Sequence, residues 1–173
     1  GEFSVTIACP RFTETVRGRT PEEVFRGVAK ALSQHFPVYE LVSGLVFRAD
    51  YDQLLAELRG LVTFFSEGGF LLNLGPEVSD YDTVLTCLVA AHAGQRLGLC
   101  ERESLSITET HRVVQASRLP YSRKTVSNRL GDLSKMNLAR RLDRGEYAVT
   151  EQGIRHFLVQ SLPAIRGGPQ HEQ

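Results

Sequence analysis

The stretch that decides the fold is Ser122-Arg-Lys-Thr-Val-Ser-Asn-Arg-Leu-Gly-Asp-Leu-Ser-Lys-Met136. Four apolar residues recur in it at helical spacing and therefore share one face, which we expect to pack inward: Val126, Leu130, Leu133 and Met136. Polar and basic residues occupy the rest of its surface: Arg123, Lys124, Ser127, Asn128 and Lys135. Ser122 is placed to cap this helix by accepting a hydrogen bond from a backbone N–H group. The pattern predicts an amphipathic helix with one face for packing and another for an anionic partner.

The residues on either side predict the neighbours of this helix. Upstream, His111-Arg-Val-Val-Gln-Ala-Ser-Arg-Leu-Pro120 is typical of a short helix that Pro120 ends. Downstream, residues 138–142 and 146–150 are short extended runs that flank a turn signal, Asp143-Arg-Gly145. The expected order is helix, tight turn, helix and β-hairpin.

This order resembles the winged helix-turn-helix family of DNA-binding domains. Five residues match the apolar positions of such a bihelix: Ala116, Leu119, Tyr121, Val126 and Leu130. Residues 147–153 are similar to the end of the wing hairpin as it runs into a final helix. Pro120 stands where the turn of this family usually has glycine, although proline is compatible with an early turn position. The resemblance covers the last third of the chain.

The resemblance implies that the second helix enters the major groove of double-stranded DNA and that wing arginines contact the flanking backbone. The implied DNA-binding residues are Ser122, Arg123, Lys124, Thr125, Ser127, Asn128, Arg129, Arg140, Arg141 and Arg144. A transcriptional regulator that works as a homodimer is the expected function. The same fold also serves as a protein-interaction module in replication, transcription or segregation assemblies, which leaves a protein partner as the alternative.

The distribution of charge favours DNA. The net charge of the chain is zero, yet residues 108–166 carry 11 Lys and Arg against 5 Asp and Glu. Residues 1–107 carry 9 against 14. Clustered positive charge on a domain of this kind is typical of proteins that bind polyanions.

The first half of the chain predicts strands that alternate with helices, as in α/β layers. Residues 4–8 predict a strand, and residues 13–17 either pair with it or form a loop. Thr20-Pro-Glu-Glu23 predicts the capped start of a helix that ends at Phe36-Pro37, with an apolar face of Val24, Phe25, Val28, Ala31 and Leu32. Residues 38–42 and 45–47 predict one bent strand or a hairpin.

A second helix is expected to begin at Asp50 or Asp52, to extend to Phe65, and to be closed by Glu67-Gly-Gly69. Residues 70–74 form a nearly continuous apolar run of the kind that lies buried in a parallel sheet. Ser79 or Asp80 then caps a third helix over residues 80–97.

These elements predict a mixed α+β or α/β chain in two domains. We expect a small α/β module at residues 1–78, a winged helix-turn-helix domain at 79–166 and a disordered polar tail at 167–173. Residues 80–97 supply the first helix of the second domain, and Leu105-Ser-Ile107 its small strand. The simplest role of the first module is dimerisation or partner docking, and a homodimer is therefore expected.

Asn73-Leu-Gly-Pro76 at the end of a predicted strand, followed by a capped helix, suggests a ligand site. Residues 38–95 resemble the second half of a CARF domain, the Rossmann-like sensor fused to winged helices in some CRISPR-associated regulators. The glycine-rich loop of that family is reduced here to Gly75-Pro76. The resemblance implies a nucleotide sensor coupled to DNA binding, with ligand-binding residues Asn73, Gly75, Ser79 and Tyr81.

Catalytic and metal-binding patterns are missing from the sequence. It contains no G-x-S-x-G, Walker, dinucleotide-binding or H-E-x-x-H motif, so no enzyme activity and no catalytic residue are predicted. Cys9, Cys87 and Cys100 are widely spaced and lack a metal-ligand pattern, so no metal or other cofactor is expected. No apolar run approaches the ~20 residues that span a bilayer, and the start has no signal-peptide pattern. A cytoplasmic protein without a membrane partner is therefore expected.

Overall fold

The computed structural model describes residues 1–10, 12–36 and 50–167. The chain is mixed, 53% helical and 20% strand, and its strands form small antiparallel sheets, which places it in the α+β class. It divides into two compact units, Gly1–Phe47 and Arg48–Gln173. The sequence predicts a boundary at residue 78 instead. The units divide earlier because Leu54, Leu58, Phe70 and Leu72 are buried in the same core as the helix at residues 80–96.

The first unit is a hairpin with one helix. Strands β1 (Phe3–Cys9) and β2 (Phe12–Gly18) pair antiparallel, which confirms the pairing of residues 13–17 with residues 4–8. Helix α1 (Pro21–His35) has the predicted cap, with the Thr20 side chain accepting from the Glu23 N–H group. Val24 and Ala31 are buried, but Phe25 is 74% exposed and was wrongly placed on the apolar face. The strands predicted at residues 38–47 lie outside the described residues.

The second unit begins with helix α2 (Tyr51–Leu58), which Asp50 caps as predicted. The prediction that this helix continues to Phe65 is wrong. Residues 62–64 form strand β3 (Val62–Phe64), which pairs antiparallel with β4 (Phe70–Leu72), so the expected parallel strand is also wrong. Glycines explain both differences: Gly60 has a φ of 83° just after α2, and Gly68 and Gly69 have φ values of 103° and 85° in the hairpin turn.

Helix α3 (Asp80–Arg96) is the centre of the second unit. Ser79 caps it, as predicted, by accepting from the Asp82 N–H group. Twelve consecutive residues, 83–94, are buried, so this helix is surrounded on all sides rather than on one face. The other elements of the unit pack around it.

Two further helices and a three-stranded sheet follow α3. Strand β5 (Leu105–Ser106) leads into helix α4 (Ile107–Ala116), and helix α5 (Arg123–Lys135) precedes strands β6 (Ala139–Leu142) and β7 (Glu146–Val149). The strands are antiparallel in the order β5-β7-β6, with a 3-10 turn at Asp143–Gly145. Helix α4 begins four residues before the predicted His111 because Ser106 and Glu109 form a reciprocal capping box.

The packing face predicted for α5 is largely confirmed. Val126, Leu130 and Leu133 are fully buried. Met136 is 53% exposed, because it is the C-cap residue and lies beyond the last turn that packs on the core. The assignment of Met136 to the packing face is therefore wrong.

The chain continues from β7 directly into a final helical run. Thr150 caps α6 (Glu151–His156) by accepting from the Gly153 N–H group, and a π-helical turn (Phe157–Ser161) joins it to α7 (Leu162–Ile165). Phe157 is fully buried against the rest of the core. Residues 168–173, most of the predicted tail, lie outside the described residues. Within the described ranges, no helix is both long and apolar enough to cross a membrane.

Candidate nucleic-acid interface

A tight turn sets the direction of α5 relative to α4. Arg118 has a φ of 59°, and the next residue, Leu119, is buried. The Tyr121 hydroxyl donates a hydrogen bond to the carbonyl oxygen of Val78, just before α3. Ser122 then caps α5 by accepting from the Thr125 N–H group, which confirms its predicted capping role. These contacts fix the first turn of α5 against the core of the unit.

The N-terminal half of α5 presents cations and an amide to solvent. Arg123, Lys124 and Asn128 are exposed, while Ser127 is half-buried. The Arg123 guanidinium donates to the Thr108 hydroxyl at 3.0 Å, so its side chain lies along the start of α4. The backbone N–H groups of the first turn add a partial positive charge at the same place. Together these groups form a basic surface that includes one neutral amide, that of Asn128.

The hydroxyl groups of Ser122 and Thr125 make contacts within the first turn of α5. Their oxygen atoms lie 3.0 Å apart, in addition to the cap bond. Because the Ser122 hydroxyl is engaged in the cap and the Thr125 hydroxyl lies against it, we expect these two residues to stabilise the helix start rather than to read a ligand.

Arg129 joins α5 to α3. Its guanidinium lies 3.2 Å from an Asp80 carboxylate oxygen and 2.5 Å from one of Asp132. With two carboxylates around it, Arg129 is an ion-pair partner within the unit. The structure therefore separates it from the exposed cations of the same helix.

The β6–β7 hairpin carries three arginines in different situations. The Arg140 guanidinium donates to Glu103 at 2.7 Å. Arg141 and Arg144 are exposed, and no ion pair within the described ranges involves either of them. Arg144 lies in the turn with a φ of 68°, in the left-handed region. Of the arginines and lysines that the sequence assigns to DNA, those without a carboxylate partner among the described residues are thus Arg123, Lys124, Arg141 and Arg144.

Three of the four residues of the predicted nucleotide site make side-chain hydrogen bonds, each to a different part of the unit. The Asn73 amide donates to the Thr63 hydroxyl at 2.9 Å, Ser79 caps α3, and the Tyr81 hydroxyl donates to the Met136 sulphur at 3.2 Å. Burial raises the pKa of Tyr81, as do the carboxylates of Asp82 and Asp132. A side chain added at Gly75 would meet the Glu77 carboxylate. Three surface cavities, of about 560, 610 and 480 Å³, are lined by other residues.

One polar cluster was missed by sequence reasoning. The Tyr51 hydroxyl lies 2.5 Å from Nε2 of His92, and Nδ1 of His92 lies 3.1 Å from Oε2 of Glu103, whose other oxygen receives the Arg140 guanidinium. His92 is 8% exposed, and Arg96 lies over the Tyr51 ring, 5.0 Å from its centroid. Burial raises the pKa of Tyr51, and the Arg96 charge opposes this effect. These positions are scattered along the chain, so no local motif reveals them.

No family model matches this chain, and neither a curated protein nor a solved structure matches it. Cys9, Cys87 and Cys100 are free thiols. In the part of the chain that the structure describes, no group of three His, Cys, Asp or Glu side chains is arranged to hold a metal ion. The exposed cations around α5 and the β6–β7 hairpin are the arrangement with the clearest chemical consequence, since they fit a polyanion.

Proposed function

We propose that this chain is a DNA-binding protein, in which residues 79–166 form a winged helix-turn-helix domain. In this proposal α5 is the recognition helix and the β6–β7 hairpin is the wing. The observation that carries it is the common exposure of Arg123, Lys124 and Asn128 at the start of a helix that the core holds in place. A homodimeric transcriptional regulator is the form of this function that we favour.

The dimensions and chemistry of α5 fit the major groove. Its 13 residues extend about 20 Å, and the major groove is about 12 Å wide, enough to admit a helix. Arg123 and Lys124 stand at the end that approaches first, where they neutralise phosphates or reach guanine. Asn128 lies more than one turn further along, and an asparagine amide pairs with adenine through two hydrogen bonds.

The ion pairs reduce the set of contact residues. Arg129 is engaged by Asp80 and Asp132. Ser122 caps the helix by accepting from the Thr125 N–H group, and the Thr125 hydroxyl lies against that of Ser122. The remaining proposed contacts are Arg123, Lys124, Ser127, Asn128, Arg141 and Arg144. Arg140 joins this set only when Glu103 releases it.

A protein-docking role is the second candidate. Met136 at the end of α5 is 53% exposed, and Val159 in the π-helical turn is 59% exposed. Apolar side chains at such positions suit a protein partner better than a phosphate backbone. The charge on the start of α5 favours DNA over this alternative.

The deciding experiment is binding of fluorescent duplex DNA over a series of salt concentrations, with a random and a genomic sequence pool. The parent protein should bind, and its affinity should fall by about 0.9 logarithmic units per log unit of salt for each phosphate contact. Arg123→Ala combined with Lys124→Ala should abolish binding and leave thermal unfolding nearly unchanged, because both side chains are exposed.

The matched control removes two exposed arginines elsewhere in the same unit. Arg59 follows α2, and Arg155 lies on α6. Arg59→Ala combined with Arg155→Ala should retain most of the affinity. If the parent protein binds no DNA at low salt, the DNA-binding proposal is rejected and the docking role takes its place.

A further inference from the structure

The Tyr51, His92, Glu103 and Arg140 side chains form one chain of hydrogen bonds that ends on the proposed wing. They come from α2, α3, the loop after α3 and β6, all within the second unit. A cavity of about 480 Å³ opens onto them. The cluster therefore connects a buried titratable group to an arginine on the surface.

With His92 neutral, every group in the cluster has a partner. Nδ1–H of His92 donates to Glu103, and Nε2 accepts from the Tyr51 hydroxyl. Arg140 supplies the second donor to the Glu103 carboxylate. This arrangement fixes the tautomer of the ring, because the carboxylate accepts only from a protonated nitrogen.

A proton added to His92 changes both ends of the ring. Nε2 becomes a donor, so the Tyr51 hydroxyl must accept and turn its own proton elsewhere. On the other side, the single negative charge of Glu103 then faces two cations, His92 at Oε2 and Arg140 at Oε1. Among the side chains of this cluster, histidine is the residue type that ordinarily changes its charge between about pH 5 and 8.

The charged groups that face His92 balance one another before the proton arrives. Arg96 and Arg140 contribute two positive charges, and Glu103 and Glu151 contribute two negative charges around the same cavity. Tyr51 is neutral, since burial raises its pKa above the ordinary value. Protonation of His92 leaves the cavity with a net positive charge. The added charge repels the neighbouring cations, and the cation that can move away into solvent is the more exposed partner of Glu103. That cation is Arg140, whose side chain is 56% exposed.

We propose that protonation of His92 releases Arg140 from Glu103. At lower pH, Arg140 on the proposed wing is then free to bind a phosphate. The consequence for DNA rests on the proposed function. DNA binding then tightens as the pH falls, and by linkage DNA raises the proton affinity of His92. The release of Arg140 itself needs no DNA.

The first test follows the protein alone. The His92 ring and the Arg140 side-chain N–H signals are recorded by NMR from about pH 5 to 8. Both should change with one midpoint, and in Tyr51→Phe, which removes the hydroxyl that faces Nε2, both midpoints should move together. In His92→Gln the Arg140 signals should stay constant with pH. Arg140 signals that ignore the titration of His92 in the folded parent overturn the proposal.

The second test measures DNA affinity at about pH 6 and pH 8. The parent should bind at least about fivefold more tightly at the lower pH. Glu103→Gln should bind at pH 8 as tightly as the parent does at pH 6, and should lose the pH dependence. Glu101→Gln is the matched control, because Glu101 is an exposed carboxylate two residues away that does not line the His92 cavity.

The two variants separate a specific release from a general gain of positive charge. Glu101→Gln should keep the pH dependence of the parent; a gain at pH 8 equal to that of Glu103→Gln would overturn the proposal. Absence of DNA binding at every pH would reject the proposed function, while the NMR titration still decides whether His92 controls Arg140.

Discussion

Leu130 is the residue on which the position of α5 depends. It is fully buried on the packing face of α5, together with Val126 and Leu133. Leu130→Ala should lower the free energy of unfolding by ~2–5 kcal/mol, because it leaves a cavity where the helix meets the core. Urea denaturation gives this value directly.

Met136 is the control for that substitution. It occupies the end of the same helix but is 53% exposed, so Met136→Ala should change the stability far less. A loss of only a few tenths of a kcal/mol for Leu130→Ala would contradict the helix phase described above.

Cys87 makes the stability depend on pH at the alkaline end. Burial in α3 raises the pKa of its thiol to about 12, from an ordinary value of 9.0. The unfolded chain then loses its proton at a lower pH than the folded chain, so this contribution to stability is present below pH 9 and is lost as the pH rises from 9 towards 12. The loss should be about 1.4 kcal/mol per pH unit.

The measurement compares the parent with Cys87→Ala by urea denaturation between about pH 8 and 10. The free energy of unfolding of the variant should fall less steeply with pH than that of the parent, even if the variant is less stable at pH 8. If the free energy of unfolding falls equally steeply with pH in the two proteins, the Cys87 thiol has the same protonation in the folded and unfolded chains, and the prediction is wrong.

At the scale of the element, the proposed wing and the proposed recognition helix should have different roles in DNA binding. Arg141 and Arg144 are exposed on the hairpin, and the DNA-binding proposal assigns them to phosphates rather than to bases. Replacing both with Ala should weaken binding to specific and random DNA about equally, and should reduce the salt slope by up to ~0.9 for each phosphate that is no longer neutralised. Titrations of a preferred and a random duplex at several salt concentrations test this.

Asn128 should show the opposite behaviour. If its amide reads a base edge, Asn128→Ala should cost ~1–3 kcal/mol on the preferred site and little on random DNA. A wing variant that loses only specific binding, with an unchanged salt slope, would mean that the wing reads sequence and would contradict this division.

Two glycines test how α5 and α6 are packed. A side chain added at Gly153 would collide with the carbonyl oxygen of Leu138, whereas nothing lies near the same position on Gly131 in α5. Gly153→Ala should therefore destabilise the protein, because backbone cannot move aside as a flexible side chain does. Gly131→Ala should raise the stability by about 0.5–1 kcal/mol through helix propensity. Thermal unfolding of the two variants distinguishes them, and a stabilised Gly153→Ala would contradict the close approach of α6 to the start of β6.

The sequence predicts some elements better than others, because only some of them carry a local signal for their start, end or turn. The α5 helix and the β6–β7 hairpin carry their own signals, a Ser122 cap and an Asp143-Arg-Gly145 turn, so local reasoning found both. Strand β3 was missed because its apolar run fits a helix as well as a strand, and only the backbone at Gly60 decides between them.

The candidate site shows the same division. The exposure of Arg123 and Lys124 follows from helical periodicity, which is local. The ion pairs of Arg129 and Arg140 depend on Asp80 and Glu103, which no spacing rule brings together. The cluster around His92 depends entirely on tertiary contacts, so the sequence alone does not predict it.

At the scale of the whole molecule, the two units differ in how completely they bury their apolar residues. The second unit has an extensive buried core around α3. Among the apolar residues in the described part of the first unit, only Val24 and Ala31 are buried, and four large apolar side chains are exposed: Phe3, Val5, Phe25 and Phe36. Exposed apolar surface on this scale is typical of a region that binds another chain.

We therefore expect a homodimer that forms through the first unit. Two copies would present two recognition helices to two half-sites on DNA, as dimeric helix-turn-helix proteins do. Sedimentation at tens of micromolar should give twice the 19.3 kDa mass of one chain.

Phe25→Ser, at the most exposed of these positions, should shift the protein towards monomer without lowering its melting temperature. Val159→Ser is the control, because Val159 is equally apolar and 59% exposed but belongs to the second unit. Monomer alone at these concentrations would contradict the prediction, and a dimer that only Val159→Ser dissociates would place the interface on the second unit instead.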